Sequence, residues 1–403
     1  MSKPRIIILM HYLELGGAEM ALIGLLHALD PEKVDVDLFI YSHQGPLMKF
    51  IPKWVNLLPE KTAYAMIERP MTEALKRGQV GVVAGRLLAK YKHKKYLKEN
   101  NPAGEDASIY SFIGKEVTRF LPHISSRTYD LCISFLLPHD IGLLKVNAKK
   151  KLAWIHTDYS RMSVNSALES RVWSAYDRIA SISPAVAESF IKVFPETRNK
   201  IVEIENILSS DFVKQRSVDS KNSEDLLGSP TLLSIGRYVY AKNYDNLPDI
   251  CRRLVVDYKM PNLKWYIIGF GDDSLIREKI KEAGMEEHVI LLGKKENPYP
   301  YIKTCNVYVQ PSRYEGKSVT VREAQILGKP VVVTNYPTAS SQIKDGVDGV
   351  IVPLDNEGAA RGLANFINNT DLQTQISTYL DSHDYGNEEE VRKIYKILEG
   401  DKI

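Results

Sequence analysis

Short apolar runs recur along the chain, each ending in glycine or charge and giving way to a stretch with helical spacing. Ile6–Met10 is the first; Gly16-Gly17 follow it, and then an apolar helical period from Met20 to Leu29. Val34, Val36 and Leu38 alternate with Asp35 and Asp37 and lead into Phe39-Ile40-Tyr41, the pattern of a half-buried strand. Tyr129–Phe135 and Lys151–His156 read as strands ending in polar residues, with Ile179–Ser183 and Ile204–Asn206 as the last two of this half. Thr231–Ile235, the run from Trp265 and Val289–Gly293 repeat the theme. Between Asn306 and Thr334 the punctuation is strand, loop, helix, strand: Gly316 frees the loop, Ser318 can cap the helix, Gly328 can end it and Pro330 stops it continuing. An amphipathic helix is expected over Glu388–Leu398. Buried strands alternating with helices define an α/β protein.

A chain of 403 residues is longer than one core usually supports, so two domains with a cleft between them are expected. The polar, turn-rich stretch 214–230 is the predicted linker, separating an N-terminal domain, 1–213, from a C-terminal domain, 231–387, with 388–403 as a final helix. Hydrophobic content of 44% and charged content of 26% describe an ordinary globular protein, and a formal net charge of +3 is too small to suggest a nucleic-acid binder. Three scattered cysteines suggest neither a disulfide framework nor a zinc site and fit a reducing cytoplasm. No run is long enough to span a bilayer, and Ile6–Met10 is too short for a signal peptide. Charge is uneven, however. Residues 71–98 hold eight Lys or Arg against Glu73 alone, interleaved with apolar residues such as Leu75, Leu87 and Tyr91. One or two basic amphipathic helices follow, either as a solvated face or as a surface for anionic lipid.

Several residues carry candidate chemistry. A loop running into a helix at Ser318 makes an anion site, because unpaired amides and the helix dipole point past the strand ends. Glu323 falls on the apolar face of that helix, so its carboxylate needs a partner: a neighbouring Arg or Lys, or the hydroxyls of a ligand. Gly236-Arg237 and Lys242-Asn243 follow a strand, and converging Arg and Lys suit a diphosphate. His156 and Asp158 stand at the C-terminal end of a strand, the edge where open α/β sheets bind ligands. Gly16 and Gly17 permit close backbone approach, or a tight turn. Asp35-x-Asp37 alternates with apolar residues as a strand does, and needs no metal.

Glu315 and Glu323, set between Pro-Ser-x-x-Glu-Gly and Gly-x-Pro-Val-Val, resemble the signature of retaining GT-B glycosyltransferases of family 4. That likeness implies two Rossmann-like domains facing across a cleft, with a nucleotide-diphosphate sugar, expected to be a UDP-sugar, held by the second and a glycan or polyprenyl-linked acceptor by the first. It places donor-sugar contact on Glu315, ribose contact on Glu323, and diphosphate contacts on Gly316, Lys317, Ser318, Val319 and Thr320. Arg237 and Lys242 resemble the pyrophosphate clamp, Gly16-Gly17 the loop facing donor phosphates and acceptor, and Gly293 and Lys294 the place where the base is held. Trp-Ile-His156-x-Asp-Tyr is similar to polysaccharide-assembly members, in which the histidine meets the donor sugar and Asp158 and Tyr159 face the acceptor. Gln342 departs from the glutamate of many relatives. The activity implied is a retaining, metal-independent hexosyl or N-acetylhexosaminyl transfer in surface polysaccharide synthesis, in the cytoplasm or at the membrane's inner face. A non-catalytic sugar-nucleotide binder and a sugar-nucleotide epimerase are the alternatives. A retaining glycosidase would not need the basic pair.

Overall fold

The computed structural model describes residues 3–101, 105–218 and 226–400. The chain divides into two compact units, Met1–Ile207 with Glu388–Ile403, and Leu208–Asn387.

Unit 1 is built on a seven-stranded parallel sheet. Its strands are Arg5–Met10 (β1), Asp35–Ile40 (β2), Asn56–Leu57 (β3), Thr128–Ser134 (β5), Asn147–Ile155 (β6), Arg178–Ser181 (β8) and Ile201–Glu203 (β9), in the order β3-β2-β1-β5-β6-β8-β9. A separate pair joins Glu105–Asp106 (β4) to Met162–Ser163 (β7). Helices cover both faces of such a sheet, which is why Ile6, Ile7 and Ile8 are all fully buried rather than alternating. Ile6 pairs with Val36 on one side and Leu131 on the other. The chain runs outward from β1 through β2 and β3, then returns to the opposite side at β5. A topological switch therefore lies at the C-terminal ends of β1 and β5.

Two expectations about these strands change. The last strand ends at Glu203, so Ile204–Asn206 lie beyond it. Asp37 is buried rather than solvent-facing, and it is satisfied by Asn56 Nδ2 at 2.6 Å and the Tyr129 hydroxyl at 2.7 Å.

Unit 2 repeats the plan with Thr231–Ile235 (β10), Lys264–Ile268 (β11), Val289–Gly293 (β12), Val307–Gln310 (β13), Val331–Thr334 (β14) and Val350–Val352 (β15), ordered β12-β11-β10-β13-β14-β15. Its switch lies at the C-terminal ends of β10 and β13. Trp265 is buried and donates its indole N–H to Ser234 Oγ at 3.0 Å, so the one polar edge of this large core residue is satisfied. The helix Val319–Ile326 ends as its residues demand. Gly328 takes φ +67°, Lys329 N–H reaches Ala324 O at 3.0 Å and Gly328 N–H reaches Gln325 O at 3.0 Å, a Schellman closure.

The boundary between units differs from the expected one. Ser210–Ser217 is a helix of unit 2, so the chain changes unit at Ile207–Leu208 instead of within the polar stretch. Of that stretch, 219–225 lie outside the described residues. At the far end the helix Val391–Glu399 belongs to unit 1, where the Tyr395 hydroxyl accepts Asp30 N–H at 2.8 Å and Lys150 Nζ holds the carbonyls of Ile397 and Leu398.

The basic segment forms two helices, Met71–Lys76 and Val80–Asn100. Val80, Ala84, Leu87, Tyr91, Lys94 and Lys98 recur at helical spacing and are all exposed, forming one outward stripe. Among the described residues, no helix is long and apolar enough to cross a membrane.

Candidate functional site

In unit 2 the loops after β10 and β13 are stitched together by a residue the sequence did not single out. Arg313 forks onto Asp245, with Nη1–Oδ1 at 2.9 Å and Nη2–Oδ2 at 2.6 Å, and lies 4.0 Å over the Tyr240 ring. Its backbone N–H meets Ala241 O at 2.8 Å. The stitching brings Lys242 to Glu315, where Nζ lies 2.6 Å from Oε1. Gly236 leaves room for this geometry. A Cβ there would fall 2.8 Å from the Tyr244 hydroxyl and 3.0 Å from Lys242 Cε.

The same Glu315 oxygen also accepts Gln310 Nε2 at 2.9 Å and Ser312 Oγ at 2.6 Å. Gln310 is held in turn by the buried Tyr308 hydroxyl at 2.7 Å. One carboxylate oxygen is thus locked by three donors, which fixes the direction of the other. Arg237, five residues before Lys242, stands exposed on the same loop, and its guanidinium makes no hydrogen bond or ion pair among the described residues.

Ser318 occupies the N-cap of Val319–Ile326, yet its hydroxyl does not cap the helix; it lies 3.1 Å from Thr320 Oγ1. The backbone of Ser318 is held from another element. Its N–H donates to Gln342 Oε1 at 2.9 Å, while Gln342 Nε2 donates to Ser318 O at 2.6 Å. Thr338 Oγ1 donates to Glu315 O at 2.9 Å, so one short turn, Thr338–Gln342, braces both ends of the segment carrying Gly316 and Lys317. This corrects the expected anion site, because the Ser318 amide is already engaged. Val319 and Thr320 remain as the first amides without a partner inside their own helix.

Glu323 is buried, as its place on the apolar face implied. Its first partner is a tyrosine: the Tyr299 hydroxyl donates to Oε1 at 2.8 Å. Burial pushes the carboxyl up to about 7, opposed by the Tyr299 bond and by the charge of Arg216. Arg216 comes from the helix Ser210–Ser217, lies 5.3 Å over the Tyr299 ring and donates to Glu296 O at 3.1 Å. Neither Arg216 nor Tyr299 carried a signal in the sequence, since each acts through burial beside Glu323. At the ends of the neighbouring strands, Gly293 takes φ +68° and accepts Gly269 N–H at 3.0 Å. Lys294 lies 5.2 Å over the Phe270 ring.

In unit 1 the switch point gathers three histidines, one after each of β1, β5 and β6. His11 Nδ1 pairs with Glu68 Oε1 at 2.6 Å, and His139 Nδ1 with Ser134 Oγ at 2.8 Å. His156 packs against the rings of Phe135 and Trp154, at 4.6 and 5.9 Å. Burial pushes His156 down to about 4 and His139 to about 3, so both are neutral near pH 7. The sequence pointed to His156 alone, because only it ends a run read as a strand. Around His11 lie two cavities of about 260 and 240 Å³, sharing His11, Tyr12, Ile67 and Glu68; Arg86 and Lys90 line the first and Arg69 the second.

Gly16 is the N-cap of the helix Gly17–Ala28, and the Glu19 carboxylate folds back so closely that a Cβ on Gly16 would lie 2.2 Å from Oε2. Asp158 accepts Ser160 N–H at 2.9 Å and caps a short turn. Tyr159 is a correction. It is buried among Trp173, Phe190 and Phe194 with its hydroxyl toward Glu169, a core position from which it cannot face an acceptor.

Residues 216–382 match the family described as Glycosyl transferases group 1. The chain is 28% identical over 214 residues to an N-acetylgalactosamine-N,N'-diacetylbacillosaminyl-diphospho-undecaprenol 4-alpha-N-acetylgalactosaminyltransferase of Campylobacter jejuni, covering 52% of this chain and 56% of that protein. It is 24% identical over 163 residues to the lipopolysaccharide core biosynthesis glycosyltransferase LpsE of Rhizobium meliloti, covering 40% and 46%. The chain spans about half the length of these curated relatives. Among solved structures, Anabaena HepE in complex with UDP-glucose superposes with TM-score 0.65 at 16% identity, covering 98% of this chain and 100% of that one. Two Rossmann-like units with this likeness constitute the GT-B fold.

Proposed function

We propose that the chain is a retaining, family 4 glycosyltransferase that moves a hexosyl or N-acetylhexosaminyl group from a UDP-sugar to a glycan or lipid-linked glycan acceptor in surface polysaccharide synthesis. The observation that carries this reading is the Lys242–Glu315 pair beside the amide end of Val319–Ile326, at the switch point of a parallel sheet. Cations and helix amides meeting at such an edge suit a diphosphate. Relatives named for transfer to a diphospho-undecaprenol acceptor and for lipopolysaccharide core synthesis support the substrate class.

In this reading Arg237, Lys242 and the amides of Val319 and Thr320 hold the diphosphate, with Gly316 and Lys317 alongside it. Glu323 accepts a ribose hydroxyl, Gly293 and Lys294 border the base, and Glu315 directs its free oxygen to the transferred sugar. The acceptor hydroxyl attacks the anomeric carbon from the face the diphosphate leaves. The new carbon–oxygen bond forms as the bond to the phosphate oxygen breaks, and the acceptor's proton passes to that phosphate. Protein cations stabilise the developing negative charge, so the step is assigned no metal. Gly16-Gly17, His156 and Asp158 are the unit 1 groups assigned to donor phosphates, sugar and acceptor; neutral His156 acts as a hydrogen-bond donor.

The exposed stripe of the helix Val80–Asn100 suits an anionic lipid surface at which a lipid-linked acceptor would be met. Leu87 and Tyr91 are 55% and 68% exposed beside Lys90, Lys94 and Lys98. The defining experiment incubates the purified chain with UDP-, GDP- and ADP-sugars, with EDTA, and with glycan and undecaprenyl-diphosphate-linked acceptors. Transfer to a product with the donor's anomeric configuration is expected. Binding of nucleotide sugar without hydrolysis or transfer would overturn the catalytic reading.

A further inference from the structure

Gln342 makes two hydrogen bonds to one residue's backbone, accepting from Ser318 N–H and donating to Ser318 C=O. Only a side chain with both a donor and an acceptor at its tip can do this. An ionised glutamate of the same size could accept from the amide but would set its second oxygen against the carbonyl. The choice of glutamine is therefore tied to this contact. Its effect is directional, because Ser318 immediately precedes Val319 and Thr320, whose amides point out of the helix end. Fixing both polar groups that flank Ser318 fixes the orientation of the next peptide plane. Thr338, at the start of the same turn, holds the carbonyl of Glu315. The four residues from Glu315 to Ser318 are thus braced at each end by one short element.

We infer that Gln342 is a positioning residue for the donor: its two-bond clamp on Ser318 aims the Val319 and Thr320 amides at the diphosphate. This rests on the donor site proposed above. With Gln342 engaging the Ser318 amide, that amide is withdrawn from the ligand and the anion is shifted one residue along the helix. The clamp acts on pre-organisation, so its loss lowers affinity for the phosphate-bearing part of the ligand more than it lowers stability.

The test uses the full chain and UDP as probe, by titration calorimetry, with Gln342→Ala, Gln342→Glu and the thermal midpoint of each. Loss of two ordinary hydrogen bonds predicts UDP binding weakened about tenfold in Gln342→Ala, with Lys242→Ala as the reference for a direct contact. Gln342→Glu, which keeps the size of the side chain, separates clamp from packing. Protonated, it can donate and accept as glutamine does; ionised, it cannot. A glutamate side chain ordinarily ionises at about pH 4.3, so at pH 7 this variant is expected to bind UDP about as weakly as Gln342→Ala. Either Gln342→Glu or Gln342→Ala binding UDP within about twofold of wild type at pH 7 overturns the inference. If wild type binds UDP and Lys242→Ala does not, such a result removes the clamp and leaves the donor site standing. If wild type binds neither UDP nor any other nucleoside diphosphate, the donor reading itself falls.

Discussion

Lys242 Nζ lies 2.6 Å from Glu315 Oε1, an ion pair drawn from two different strand-end loops and largely screened from water, with side chains 19% and 13% exposed. In the proposed donor site the lysine would give charge to a diphosphate only as far as Glu315 shares it, while the carboxylate is held in one direction by Gln310 and Ser312. The two residues should therefore separate kinetically. Lys242→Ala should weaken UDP binding by about tenfold or more, and Glu315→Gln should leave UDP affinity within about threefold while lowering kcat about a hundredfold. Calorimetry with UDP and steady-state kinetics with a UDP-sugar distinguish them.

Arg237 is exposed and its guanidinium makes no hydrogen bond or ion pair among the described residues, so its removal should cost the fold little. Arg237→Ala is expected to shift the thermal midpoint by no more than about a degree, to weaken UDP binding about tenfold and to flatten its dependence on salt. Equal affinity at low and high ionic strength in variant and wild type would remove it from the site.

Glu323 links stability to pH. Its carboxyl is pushed from 4.5 up to about 7, so the folded chain binds a proton there that the unfolded chain has released. The contribution is fully present below about pH 4.5 and is lost as pH rises through 7, at most about 3 kcal/mol at 1.4 per pH unit. Thermal midpoints measured without donor from pH 5 to 8 should fall more steeply in wild type than in Glu323→Gln.

Tyr159 should behave as core. Tyr159→Ala is expected to lose about 3 to 5 kcal/mol of stability, and Tyr159→Phe about 1 kcal/mol or less with no change in acceptor KM. A raised acceptor KM in a stable Tyr159→Phe enzyme would return the residue to the site.

The outward stripe of Val80–Asn100 predicts binding to vesicles containing phosphatidylglycerol. Leu87→Glu with Tyr91→Glu should abolish co-sedimentation without changing UDP affinity, and an equal response of wild type to neutral vesicles would rule out the charge term.

What could be read in advance follows a physical division. Strands buried on both faces announce themselves as unbroken apolar runs, and Gly328 and Pro330 mark a helix end because few other residues tolerate those backbone geometries. Glu315, Glu323 and Lys242 stood out because charge beside a strand end, or on an apolar face, has few neutral explanations. Arg216, Tyr299 and Arg313 did not, since their importance lies in which distant residue they meet. Tyr159 misled for the same reason: adjacency to His156 along the chain says nothing about side-chain direction, and its ring turns inward to an aromatic cluster. The helix Ser210–Ser217 was hidden by polar composition, although it supplies Arg216, which lies 5.3 Å over the Tyr299 ring.

Leu208 and Asn387, the first and last residues of unit 2, bond to each other, with Leu208 N–H to Asn387 Oδ1 at 2.9 Å and Asn387 N–H to Leu208 O at 3.3 Å. The downstream lobe is therefore a cassette: a closed loop of chain that leaves and re-enters its host at a single knot. The two covalent junctions of a graft exchanging Leu208–Asn387 would therefore fall at one place, held together by the bonds the segment already makes to itself.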